Sequence, residues 1–146
     1  MLTAPDRRRG AASCANRARH WISRVLQKLY GLQNYSGDED NGEMSAWYLL
    51  SSIGLYPLKL GTNELVLGAP QFERVTLRLR DGKTLVVRRV GWGAASKGHA
   101  DLRMVLWRRA GGGVFTLNST KLISYQTILS GGELTFVFGR GPAAGL

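Results

Sequence analysis

The apolar period of this chain changes once, between Gly54 and Pro57, and that change limits the folds open to it. Before it, Trp21, Ile22, Val25, Leu26, Leu29 and Tyr30 recur at helical spacing, with Arg24, Gln27 and Lys28 on the other side. Gly31 is a natural stop for that helix. A second run, Met44, Trp47, Tyr48, Leu49, Leu50 and Ile53, leaves little polar face. It predicts a helix from about Glu43 to Ile53 that is buried nearly all round. Gly54 and Pro57 end it. Beyond Pro57 the pattern alternates. Val75, Leu77 and Leu79 interleave with Arg74, Thr76, Arg78 and Arg80, which reads as a strand with one wet face. Asp81-Gly82 is a hairpin turn signal, with Leu85 to Val90 as the return strand. Leu65 to Leu67, Met104 to Trp107, Val114 to Leu117 and Leu134 to Phe138 are further strand candidates. The expected class is α+β: a helical hairpin over 20–58, then an antiparallel β-sandwich-like module over 59–142.

The 146 residues suffice for one modest domain with a core, and a hydrophobic fraction of 44% argues against wholesale disorder. Residues 1–19 are rich in Arg and Ala, poor in acids and without an apolar period, so they are expected to form a basic disordered tail. Their composition is faintly like a mitochondrial transit peptide. Residues 143–146 read as a short tail. Cys14 is the single cysteine, which excludes an internal disulfide and any multi-cysteine metal site. No apolar run is long enough to cross a bilayer, and no secretory signal is visible, so localisation stays unknown.

Against a net charge of +10, the run Gly37-Asp38-Glu39-Asp40-Asn41-Gly42-Glu43 stands apart, with four carboxylates in seven residues. Clustered acids repel, and are tolerated when solvated, when capping a helix, when binding a cation or when handling protons. Asp38 and Asp40 lie two apart, so on an extended backbone they aim the same way and could share a water or a metal. Asp40 and Glu43 also fit a capping box, with Asp40 at N-cap. Glu39 reads as a solvated loop acid. An EF-hand fails on spacing, because Gly42 falls where an oxygen ligand is needed. His20 and His99 show no metal pattern, and Ser45 lacks a nucleophile elbow. Trp47 and Tyr48 could stack on sugar, but on a buried helix they read as core.

The acidic run, continued through Met44-Ser45-Ala46-Trp47-Tyr48 and Ile53-Gly54-Leu55-Tyr56-Pro57, resembles the C-terminal part of glycoside hydrolase family 92. The resemblance extends to the Trp21 to Tyr30 helix, Leu67 to Phe72, the Asp81 to Thr84 turn and Ile128 to Leu134. It covers roughly residues 20 to 140, with a weak stretch from about Trp92 to Gly113. It implies a calcium-dependent exo-acting α-mannosidase, and an α/α toroid whose last helices correspond to the hairpin here. It also implies an α-mannoside or N-glycan-type carbohydrate as substrate, and calcium as cofactor. Its chemistry is hydrolysis with inversion, which needs a general acid and a base-side carboxylate about 6.5–9.5 Å apart. The resemblance carries the base role to Asp40, with Asp38 sharing or tuning the water.

Family members are several times longer, and nothing in this chain matches their general acid. The chain is therefore expected to be a C-terminal fragment that is inactive alone, with apolar helix surface prone to self-association. Family members are commonly exported, though no export signal is visible here. Calcium ligands are not assignable from the sequence. The alternative is a non-catalytic basic β module binding polyanions such as nucleic acid, motivated by the net charge and by Arg74, Arg78 and Arg80. RNA- and DNA-binding motifs are absent, which makes nucleic acid the weaker choice.

Overall fold

The computed structural model describes residues 4–31, 37, 39, 41–92, 100–117 and 122–140. Helix α1 (Ala4–Lys28) is followed by α2 (Glu43–Ile53). Strands β1 (Leu55–Tyr56) and β2 (Glu64–Leu67) come next, then the hairpin β3 (Arg74–Arg78) and β4 (Thr84–Val90). Strands β5 (Ala100–Arg109), β6 (Val114–Leu117) and β7 (Leu122–Ser124), helix α3 (Tyr125–Leu129) and β8 (Gly132–Arg140) complete the α-helices and strands among the described residues. One sheet has the order β1-β2-β7, the other β3-β4-β8-β5-β6. The architecture is α+β, as the change of period predicts.

The larger sheet supplies most of the core. Leu85 and Val87 on β4, Leu134 and Phe136 on β8, and Val105 on β5 are almost wholly shielded from water. They share one face because side chains alternate along a strand. Each such burial contributes about 1.5–3 kcal/mol. That outweighs the partly exposed Arg88–Glu133 ion pair at 3.9 Å on the other face, since exposed pairs contribute about 0–1 kcal/mol. The β3–β4 hairpin forms in the expected place. Asp81 (φ 59°) and Gly82 (φ 69°) are both left-handed, and Lys83 N–H donates to the Arg80 carbonyl at 3.3 Å, the turn that matches strand twist.

Four expectations change. The module is not wholly antiparallel, because β4 and β8 run parallel from Leu85↔Gly132 to Val90↔Val137. Their connection passes through β5, β6, β7 and α3, long enough for a crossover. Secondly, residues 4–19, expected in the disordered tail, are helical: α1 starts at Ala4 and runs unbroken to Lys28. Asn16 Oδ1 accepts from Leu102 N–H at 3.2 Å, and Arg19 Nε donates to the Leu67 carbonyl at 3.1 Å, so this part of the helix is tied to both sheets. Thirdly, the inward stripe of α1 is Arg19, Ser23 and Leu26, while Trp21, Ile22 and Leu29 are exposed. Polar partners on the loop after β2 explain the choice: Gln71 Nε2 donates to Ser23 Oγ at 3.0 Å. Fourthly, α2 is not buried all round. Ser51 and Ser52 are its buried residues, and Leu49 is exposed. No helix among the described residues is long and apolar enough to cross a membrane.

Candidate active site

The acidic loop enters α2 through a sharp reversal. Asn41 (φ 60°) and Gly42 (φ 92°) are consecutive left-handed residues, a conformation that asparagine and glycine adopt most readily. Gly42 therefore occupies the N-cap position and Glu43 begins the helix. This overturns the capping box expected of Asp40 and Glu43, because a helix cannot run through two left-handed residues. The Asn-Gly pair was the sequence signal for it.

Glu39 takes over the capping. Its Oε1 accepts from Ser45 N–H at 3.2 Å, and its carbonyl accepts from Met44 N–H at 3.4 Å. A carboxylate at a helix N-terminus is favoured by the free amides and the helix dipole. Its second oxygen, Oε2, is buried and has no hydrogen-bond partner among the described residues. Glu39 is thus an anchored side chain rather than the solvated acid expected. Asp38 and Asp40, the two residues expected to do the chemistry, lie outside the described residues. Glu43 is exposed at the first turn.

An aromatic cluster fixes the two helices beside this loop. Tyr30, just past α1, stacks on Trp47 and Tyr48 with centroids 5.5 and 5.1 Å apart. Its hydroxyl lies 3.8 Å from the Met44 sulfur. Trp47 and Tyr48 are half-buried and pack against Tyr30 rather than in the core. Between α1, α2 and the smaller sheet runs a groove of about 460 Å³, with Ile22, Trp47, Leu55, Leu58, Val66 and Leu122 among its walls. Its walls are mainly apolar, with few donors or acceptors for sugar hydroxyls. Arg19 also lines it. Burial lowers the Arg19 pKa to about 10, with Asp101 opposing the shift, so it remains a cation at neutral pH.

Among the described residues no three His, Cys, Asp or Glu side chains converge as a metal site. Glu39 Oε2 is one oxygen in want of a partner, whereas calcium takes six to eight oxygen ligands.

A family model described as the glycosyl hydrolase family 92 catalytic domain matches residues 11–140. No curated protein sequence matches the chain. Among solved structures, the family GH92 α-mannosidase BT3965 from Bacteroides thetaiotaomicron aligns with a TM-score of 0.72 at 27% identity, covering 88% of this chain and 16% of that one. The family GH92 inverting mannosidase BT2199 from Bacteroides thetaiotaomicron VPI-5482 aligns with a TM-score of 0.63 at 36% identity, covering 85% of this chain and 16% of that one. BT3965 is also known in complex with mannoimidazole, and that structure aligns with a TM-score of 0.69 at 28% identity over 85% of this chain and 15% of that one. The chain thus spans a small part of the length of the enzymes it matches.

Proposed function

Because the chain belongs to glycosyl hydrolase family 92, we propose that its acidic loop is the base side of an inverting α-mannosidase active site. The run from Gly37 to Trp47, lying inside the family match, carries this reading. Asp38 and Asp40 flank Glu39 in the sequence, and the Glu39 side chain is anchored at the start of α2.

In the proposed reaction Asp40 takes a proton from water as the water oxygen bonds to the anomeric carbon of an α-linked mannoside. Asp38 orients that water or tunes its partner's charge, since paired carboxylates shift one another's pKa. The glycosidic carbon–oxygen bond breaks, and the leaving oxygen takes a proton from a general acid. None of the 146 residues matches that acid, so it comes from the remainder of a family-92 body. Calcium, where bound, would hold sugar hydroxyls of the substrate.

A chimera tests the reading. The matched segment of BT2199 is replaced by this chain, and mannose release from an α-mannoside is followed. Asp40→Asn is expected to lower kcat by about 10²–10⁴-fold, with Asp38→Asn also lowering it. Neither is expected to change the melting temperature much, because Gly42 and Glu39 serve the helix end. If Asp40→Asn leaves kcat intact in a folded chimera, the assignment fails. The chain alone is expected to release no mannose.

A further inference from the structure

From the open face of the larger sheet we infer a binding surface for an acidic polysaccharide carrying sulfate or phosphate groups. The register assembles it. Arg74 lies opposite Arg88, which is followed across the sheet by Thr135, Leu106 and Thr116. The next row reads Thr76, Val86, Glu133, Arg108 and Val114. Arg78, two residues beyond Thr76, shares the face. Four guanidinium groups therefore meet one carboxylate, Glu133, within these rows.

Three features point to a polyanion. All four arginines are exposed, while the opposite face of the same strands forms the core. Arg74 and Arg88 sit directly opposite each other, and Glu133, 3.9 Å from Arg88, offsets only one of the four positive charges. The cations are all arginine, whose planar fork pairs with sulfate and phosphate through two parallel hydrogen bonds. The floor between them is aliphatic: Val86, Leu106 and Val137 are half-buried there. The nearby rings of Trp107 and Phe136 turn to the core side. With no ring on these rows to stack bases, the surface favours a saccharide chain over single-stranded nucleic acid. This surface is independent of the acidic loop, and stands whether or not that loop is catalytic.

Dextran sulfate is the probe, with neutral dextran and both single-stranded and duplex DNA beside it, titrated against the full chain at several salt concentrations. Dextran sulfate is expected to bind in a salt-dependent way and neutral dextran not at all. Arg74→Gln with Arg78→Gln and Arg108→Gln should weaken binding by about tenfold or more and flatten the salt dependence. An equal loss of charge elsewhere, by Arg24→Gln, Lys28→Gln and Lys59→Gln, should change it by less than about twofold. Arg→Lys at the three sheet positions keeps the charge and removes the fork, so it should give an intermediate loss. That triple also carries the test if the glutamine triple does not fold. Equal loss in both glutamine triples would reduce the effect to net charge. Absence of binding at low salt, or DNA binding as tightly as dextran sulfate, would overturn the assignment.

Discussion

Gly54 joins the helical part of the chain to the sheets, and two requirements meet there. It is left-handed (φ 87°) at the C-terminus of α2, and a Cβ on it would meet the Pro70 ring at 2.7 Å. Its carbonyl also accepts from Gly68 N–H at 2.8 Å, so the backbone has little room to yield. Gly54→Ala is therefore expected to lower stability by about 1–3 kcal/mol, read by denaturant unfolding. Gly82 isolates the first requirement, because it is left-handed (φ 69°) with nothing within 4 Å of the added carbon. Gly82→Ala should cost less, and equal losses would mean that Pro70 gives way. That Gly54 ends a helix was legible in the sequence. The role of Glu39 was not. Its partner is a backbone amide six residues on, set by the left-handed reversal at Asn41 and Gly42, and a carboxylate in an acidic run looks the same whether solvated or anchored.

The helical and extended elements were legible to different degrees, and α1 shows why. Its first half has no apolar stripe, and the Arg- and Ala-rich composition reads as a tail. What makes it part of the fold is polar and distant. Asn16 meets Leu102, 86 residues away, and Arg19 meets Leu67, 48 residues away. Hydrogen bonds of that range leave no local pattern. The strands β3, β4 and β8 did announce themselves, because one buried face forces alternation. The short β1 and β7 carry too few residues to show a period. A chain beginning at residue 20 tests the element directly. Its loss leaves the Leu102 amide and the Leu67 carbonyl without these partners, at a cost of about 1–3 kcal/mol for each buried group left unpaired. The shortened chain should melt at lower temperature than the full one. Identical melts would restore the view of 1–19 as a tail.

At the scale of the whole molecule, the sheet closes its core while the helices leave apolar surface open. Leu58 and Leu60, in the connection between β1 and β2, are 73% and 88% exposed, and Leu58 borders the groove between the helices and the smaller sheet. Trp21, Ile22, Leu49 and Leu122 are exposed as well. A chain that corresponds to 16% of the length of BT3965 and BT2199 has fewer elements with which to cover such a surface. Water is excluded from it most cheaply by contact between copies. The isolated chain is therefore expected to associate with itself at roughly micromolar to millimolar concentrations. Net charge opposes this by mutual repulsion, so association should strengthen as salt screens the charge. Dependence on salt thus separates it from ionic aggregation, which salt weakens. Sedimentation velocity across a concentration series reads the distribution. Leu58→Glu with Leu60→Glu places two carboxylates at the groove margin without touching the core, and should shift the population towards monomer. A wild-type chain that stays monomeric throughout, with a sharp cooperative melt, would mean that the exposed leucines lie in loops too adaptable to form a contact.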